Sequence, residues 1–217
     1  MPTDTIAAIA TPAGSGGIGI IRISGPEAGT ILIRLFQPSH PIAFFQPRRL
    51  YHGDLVCPET GRVLDEVLIT LMKGPRSFSG EDTVEIFCHG GILILESVLS
   101  SVLRAGARLA EPGEFTRRAF LHDRIDLTQA EAIGDMISAR TSRGLETAVS
   151  HLKGKLRGKI DVLREGLIDV LALLETEIDF SEDVASHPSS EVSSPLQSLS
   201  EDLAALLRSY DQGKIDR

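Results

Sequence analysis

The chain has 217 residues, a mass of 23.4 kDa, and 42% apolar against 24% charged residues, which is the composition of one large or two small globular domains rather than of a disordered or collagenous chain. Its 30 acids and 22 bases leave a formal charge of −8, which argues against a primary role in binding along a nucleic-acid backbone. No apolar run reaches the roughly 18–20 residues of a membrane span, and Met1 to Ala10 lacks the basic stretch and long apolar core of a signal peptide, so a cytoplasmic protein with no membrane contact is expected.

Thr5 to Ala10 and Ile18 to Ile23 are β-branched runs joined by the Pro-Gly-rich stretch Thr11 to Gly17, which predicts strand, loop, strand. Ala28, Ile31, Leu32 and Leu35 recur at helical spacing, predicting a helix over 26–36 with Pro26 in its first turn. A Pro-rich loop, 37–47, follows. Leu50 to Val56, Val67 to Met72 and Thr83 to Cys88 read as three more strands, separated by turn signals at 58–61 and 74–80. From Ile92 to Leu103 the spacing is helical again, with Gly106 placed to end it. Strands and helices interleave without strict β-α-β alternation, so the expected class is an α+β domain on a mixed sheet.

The pattern changes after about residue 125. Residues 1–125 hold 12 bases and 13 acids, whereas 126–217 hold 10 and 17. From Thr128 strand signals vanish. Leu152, Leu156, Ile160, Leu163, Leu167, Val170, Leu174 and Ile178 predict one long helix with a continuous apolar face. Leu196, Leu199, Leu203, Leu206 and Tyr210 repeat the pattern after a Ser-Pro-acid loop over 181–195. Two such helices need each other or further helices to bury their stripes, so this all-α part is expected to be incomplete, with more sequence in the parent protein.

Several motifs compete to carry chemistry. Gly14, Gly16 and Gly19 form a literal G-x-G-x-x-G. In a dinucleotide fold a helix follows the motif, but here the β-branched 18–23 follows, so a turn between strands is the better reading. A third reading is a bare backbone that lets a planar ligand come close. No G-x-x-x-x-G-K-[ST] occurs, so the chain supplies no phosphate-binding loop and should not hydrolyse GTP by itself. Cys57 and Cys88 are the only cysteines, with no Cys/His partner at zinc spacing, so neither a disulfide framework nor a metal site is expected.

Cys88-His89-Gly90-Gly91 closes a strand and opens a helix. Adjacent strand residues face opposite ways, which favours a structural corner over a Cys-His catalytic pair. Glu85, among Val84, Ile86 and Phe87, is either a solvent-side residue or a buried acceptor for a ligand that presents a fork of N–H groups. Arg117, Arg118 and Arg124 read as a solvated face. Residues 140–164 hold 7 bases and 2 acids; this stripe could meet RNA phosphates, but solvation and ion pairing are preferred.

Taken together, 4–12, 16–25, Ser77-Phe78-Ser79-Gly80-Glu81-Asp82, Cys88-His89-Gly90-Gly91, Pro112-Gly113-Glu114-Phe115-Thr116, 126–132 and Ile178-Asp179-Phe180 resemble, in order and spacing, the N-terminal half of the MnmE (TrmE) tRNA-modification GTPases. The resemblance implies an N-terminal α+β domain, 1–118, of the aminomethyltransferase-like folate type, which binds 5-formyl-tetrahydrofolate or a related tetrahydrofolate and forms the homodimer. It implies that 119–217 begins a helical domain interrupted by an inserted G domain, which would hold the GTP, magnesium and potassium. With an MnmG-type flavoprotein, such proteins modify carbon 5 of the wobble uridine of tRNA, the folate supplying one carbon. Carried over by position, the folate contacts are Arg22, Glu85 and Arg124; Arg124 stands where many members have lysine, and the two cations differ in geometry. No catalytic residue is assigned in these 217 residues. A folate-dependent one-carbon transfer protein and a ligand-free dimerisation fragment are the alternatives.

Overall fold

The structure, a computed structural model, describes residues 4–179 and 189–215. These residues form two compact units, 1–125 and 126–217. A division at 118/119 would cut through a single helix, Glu114–Leu121, whereas the units meet between Ile125 and Asp126.

The first unit is a seven-stranded sheet with strands β1 (Ile6–Ile9), β2 (Ile18–Ser24), β3 (Phe36–Pro38), β4 (Leu50–Val56), β5 (Val63–Met72), β6 (Thr83–His89) and β7 (Arg108–Leu109) in the order β3-β4-β5-β6-β2-β1-β7. Every pairing is antiparallel except β1 with β7. Helices α1 (Ala28–Leu35) and α2 (Ile92–Arg104) pack on it, and α3 (Glu114–Leu121) follows β7. The α+β mixed-sheet class is as expected. The first helix is shorter than its apolar spacing suggested, because the chain turns extended at Phe36, which opens β3 with φ −105° and ψ 126°. The two shortest strands, β3 and β7, carry no periodicity of their own and exist only as partners to β4 and β1.

Strand alternation sorts the residues. Ile21 and Ile23 of β2 and Val84, Ile86 and Cys88 of β6 join Ile31, Leu32, Leu35, Val98 and Val102 from α1 and α2 in one core. Arg22 and Glu85 therefore point to the other face of the sheet. Their strands are in a register that sets Arg22 directly opposite Glu85.

The second unit is helical: α4 (Leu127–Ser138), α5 (Ser142–Leu152), α6 (Lys155–Asp179) and α7 (Ser189–Ile215). Asp126 and Gln129 form a capping box at the start of α4. The long helix expected from Leu152 is two helices. Leu152 ends α5, and Gly154, with φ 76°, separates it from α6. Ser189 to Pro195, expected in a loop, is helical; Pro195 has no N–H to give to residue 191, but its fixed φ suits a helix. The rest of that loop, Phe180 of the Ile178-Asp179-Phe180 motif, and the side chain of Tyr210 lie outside the described residues. No described helix is long and apolar enough to cross a membrane.

Candidate functional site

Arg22 Nε and Nη2 both donate to Glu85 Oε1, at 2.9 and 2.7 Å. The pair is shielded, with side-chain exposures of 28% and 17%, so Glu85 is a largely buried acceptor rather than a solvent-side residue. Both bonds end on one oxygen, which leaves Oε2 with acceptor capacity. The Arg22 guanidinium carbon also lies 5.4 Å from the Phe78 ring centroid and 5.7 Å from that of Phe115, within cation–π range. Phe78 is partly exposed, so the aromatic surface beside the ion pair reaches solvent.

Arg124 sits on the turn after α3. Its Nε donates to Ser77 O at 3.1 Å, and its Cγ is close to Gly80. The structure thus brings Arg22 and Glu85 into direct contact, and connects Arg124 to them through the 77–81 loop that carries Phe78.

Beside this site is a buried charge cluster that the sequence reading missed. Arg118, expected on a solvated face, is 1% exposed. Its Nη1 donates to Glu81 Oε1 at 3.0 Å and to Asp4 O at 2.8 Å, and its Nη2 to Asp4 Oδ1 at 2.8 Å and Glu114 Oε1 at 3.1 Å. Its Nε is buried without a hydrogen-bond partner. Arg108 grips Glu114 with two nitrogens, at 3.1 and 2.8 Å. That grip, opposed by burial and joined by the Glu111 amide and Arg118, holds the Glu114 pKa at about 2. The hint in the sequence was geometric: Glu114 and Arg118 stand four apart, on one helical face.

The glycine motif is a turn. Gly19 lies inside β2, where a Cβ would meet Leu95 Cδ1 at 2.6 Å, and Gly16 N donates to Gly90 O at 3.1 Å. The bare backbone thus serves the chain's own close packing, and no helix follows as a dinucleotide site requires. Cys88 is buried, and burial together with the Asp65 charge pushes its thiol up to about 12, so it is no nucleophile at neutral pH. His89 turns the opposite way, where its Nδ1 and its backbone N–H both meet Asp65 at 2.7 Å. The Asp65 hydrogen bond and charge raise its pKa above the ordinary value. In the basic stripe, Arg157 meets Asp126 at 3.5 Å and Asp161 at 3.4 Å, which is ion pairing at the surface.

A cavity of about 390 Å³ lies along β4 beside Phe44, Arg49 and Tyr51, and another of about 470 Å³ lies between α6 and α7 beside Lys155, Lys159 and Asp202. Neither includes Arg22, Glu85 or Arg124.

Comparison with known proteins assigns both units. The family model for the GTP-binding protein TrmE N-terminus matches residues 5–124, and that for the MnmE helical domain matches 127–217. The chain is 70% identical over 217 residues to the tRNA modification GTPase MnmE of Syntrophus aciditrophicus, 46% over 220 residues to that of Carboxydothermus hydrogenoformans and 44% over 218 residues to that of Natranaerobius thermophilus. Each match takes in 100% of this chain and 48% of the relative, so the chain spans about half the length of these relatives.

Proposed function

The chain belongs to the TrmE (MnmE) family of tRNA-modification GTPases, and from that premise we propose that residues 1–217 are its folate-binding and dimerising portion. The observation that carries the folate reading is the Arg22–Glu85 pair: a shielded carboxylate with one oxygen uncommitted, opposite a guanidinium faced by two aromatic rings. That donor set fits a reduced folate. A carboxylate accepts from the aminopyrimidine edge of a pterin, which presents N–H groups in a fork. Arginine receives carbonyl oxygens or the glutamate tail, and aromatic rings offer faces to a planar ligand. Arg22, Glu85 and Arg124 are the contacts we assign, with 5-formyl-tetrahydrofolate or a related tetrahydrofolate as ligand.

In the parent protein the bound folate supplies one carbon toward carbon 5 of the wobble uridine of tRNA, in a cytoplasmic complex with an MnmG-type flavoprotein. GTP, magnesium and potassium belong to a G domain, since residues 1–217 contain no phosphate-binding loop.

Calorimetric titration with 5-formyl-tetrahydrofolate tests the site. One saturable site per chain is expected, abolished by Glu85→Ala and weakened by Arg22→Ala. Unchanged affinity in both variants would refute the assignment, and no binding by the parent chain would favour a dimerisation fragment. Light scattering should give twice the 23.4 kDa chain mass; a monomer at micromolar concentration would end the dimer reading.

A further inference from the structure

The 77–81 loop is gripped at alternate residues by one short segment. Arg124 Nε donates to Ser77 O at 3.1 Å, His122 Nδ1 to Ser79 O at 2.9 Å, and Arg118 Nη1 to Glu81 Oε1 at 3.0 Å. From the sheet side Ser24 Oγ donates to Glu81 Oε2 at 2.6 Å, and Ser24 Oγ lies 2.6 Å from Ser79 Oγ. Ser77 Oγ closes the loop on Glu81 O at 2.5 Å.

Glu81 is where these anchors converge. Its side chain is 9% exposed, and none of its bonds includes Arg22 or Glu85. Yet Phe78, between the first two anchors, and Phe115, three residues before Arg118 on α3, are the two rings that face Arg22. Ser24 is two residues from Arg22 on the same strand. The network thus links the three elements that bring Arg22, Phe78 and Phe115 together.

A buried ion pair is a weak source of net stability, because removing its charges from water offsets most of their attraction. Its better-supported use is to hold one geometry, and a site held in advance binds without losing freedom on association. We propose that Glu81 is a positioning residue of the candidate ligand site: through Arg118 and Ser24 it fixes the 77–81 loop and so sets Phe78 against the Arg22 guanidinium. The identity of the ligand rests on the folate reading; the positioning does not.

Two measurements test this. The chain has no tryptophan, so Phe78→Trp introduces a single indole into the loop. Adding Glu81→Gln, which keeps the shape and removes the charge, should lower the anisotropy of that indole and raise its acrylamide quenching about two-fold as the loop loosens, with far-UV circular dichroism unchanged. Separately, Glu81→Gln should weaken 5-formyl-tetrahydrofolate binding about ten-fold in the parent chain and less than two-fold in a Phe78→Ala background, since the loss acts through Phe78. An equal loss in both backgrounds overturns the proposal, because general loosening has no need of Phe78. If the parent chain does not bind the folate, that reading fails alone, and the indole decides: unchanged anisotropy and quenching refute the positioning. Should Glu81→Gln not fold, Ser24→Ala removes the other anchor without stranding a charge, and the same outcomes apply.

Discussion

The two units treat their apolar residues in opposite ways. In the first, Ala7, Ile21, Ile23, Ile31, Leu32, Leu35, Leu55, Ile69 and Ile86 are wholly buried between sheet and helices. In the second, the buried apolar side chains among the described residues are Ala132, Ala148 and Val170, while Val162, Leu167, Leu171 and Leu207 of α6 and α7 are more than half exposed. The consequence extends to charges. The contacts of Arg118 with Glu81 and Glu114 in the first unit are buried on both sides, in a low-dielectric interior, whereas those of Arg157 in the second have a solvated guanidinium. The same pair of residue types should therefore carry different weight in the two places.

The sharpest test sets Arg118 against Arg157. Arg118→Ala leaves the Glu81 carboxylate buried without its guanidinium partner, and stability of the first unit should fall by about 3–5 kcal/mol. Arg157, 59% exposed beside Asp126 and Asp161, should cost about 0.2–1 kcal/mol when truncated. Hydrogen exchange reads each unit separately, through the amides of β2 and β6 for Arg118 and of α4 and α6 for Arg157. Equal effects would mean that the contrast in burial does not govern the ion pairs.

Acid should divide the units next. Glu114 has its pKa lowered from 4.5 to about 2 in the folded chain. A carboxylate depressed on folding contributes stability that is fully present above its unfolded pKa and is lost as pH falls through the folded one. The window is therefore pH 4.5 down to about 2, and the contribution is on the order of 3 kcal/mol. Urea unfolding of the first unit should weaken steeply across that window, and Glu114→Gln should flatten the slope while lowering stability at neutral pH. A slope unchanged by Glu114→Gln would place the acid sensitivity elsewhere.

Most of this architecture was legible because it is written in local periodicity. The β-branched run 18–23 and the run 83–88, set off by turn signals at 74–80, identified β2 and β6, and the spacing of Ala28, Ile31, Leu32 and Leu35 identified α1. The motifs that resemble the family also pointed to Arg22, Glu85 and Arg124, of which the structure pairs the first two. What stayed hidden was non-local. Strands β3 and β7 take their extended form from neighbours far along the chain. Arg118 looks like any helical arginine until Asp4, 114 residues away, and Glu81 close around it. Phe78 sits in a polar turn, and only the fold shows that it faces Arg22. The break at Gly154 was obscured because the apolar stripe runs on through it, from Leu152 to Leu156.

Glycines give the smallest contrast between the units and the finest measure of it. A Cβ on Gly19 of β2 would lie 2.6 Å from two atoms of Leu95, which is itself buried in the core. Gly19→Ala should thus cost about 1–3 kcal/mol, the usual penalty of overpacking. Gly158 of α6 has nothing within 4 Å of that position, so Gly158→Ala keeps its space and gains helix propensity, stabilising the helical unit by about 0.5–1 kcal/mol. Gly166, eight residues along the same helix, is the intermediate case. Its Cβ would come within 2.9 Å of Leu199 Cδ2 on α7, the free end of a side chain that can turn aside. Thermal unfolding of the three variants should therefore rank Gly158→Ala above the parent chain, Gly166→Ala near it and Gly19→Ala below it. If Gly166→Ala fell as far as Gly19→Ala, α6 and α7 would be locked together as tightly as sheet and helix, and the looseness inferred from their exposed leucines would not extend to the seam between them.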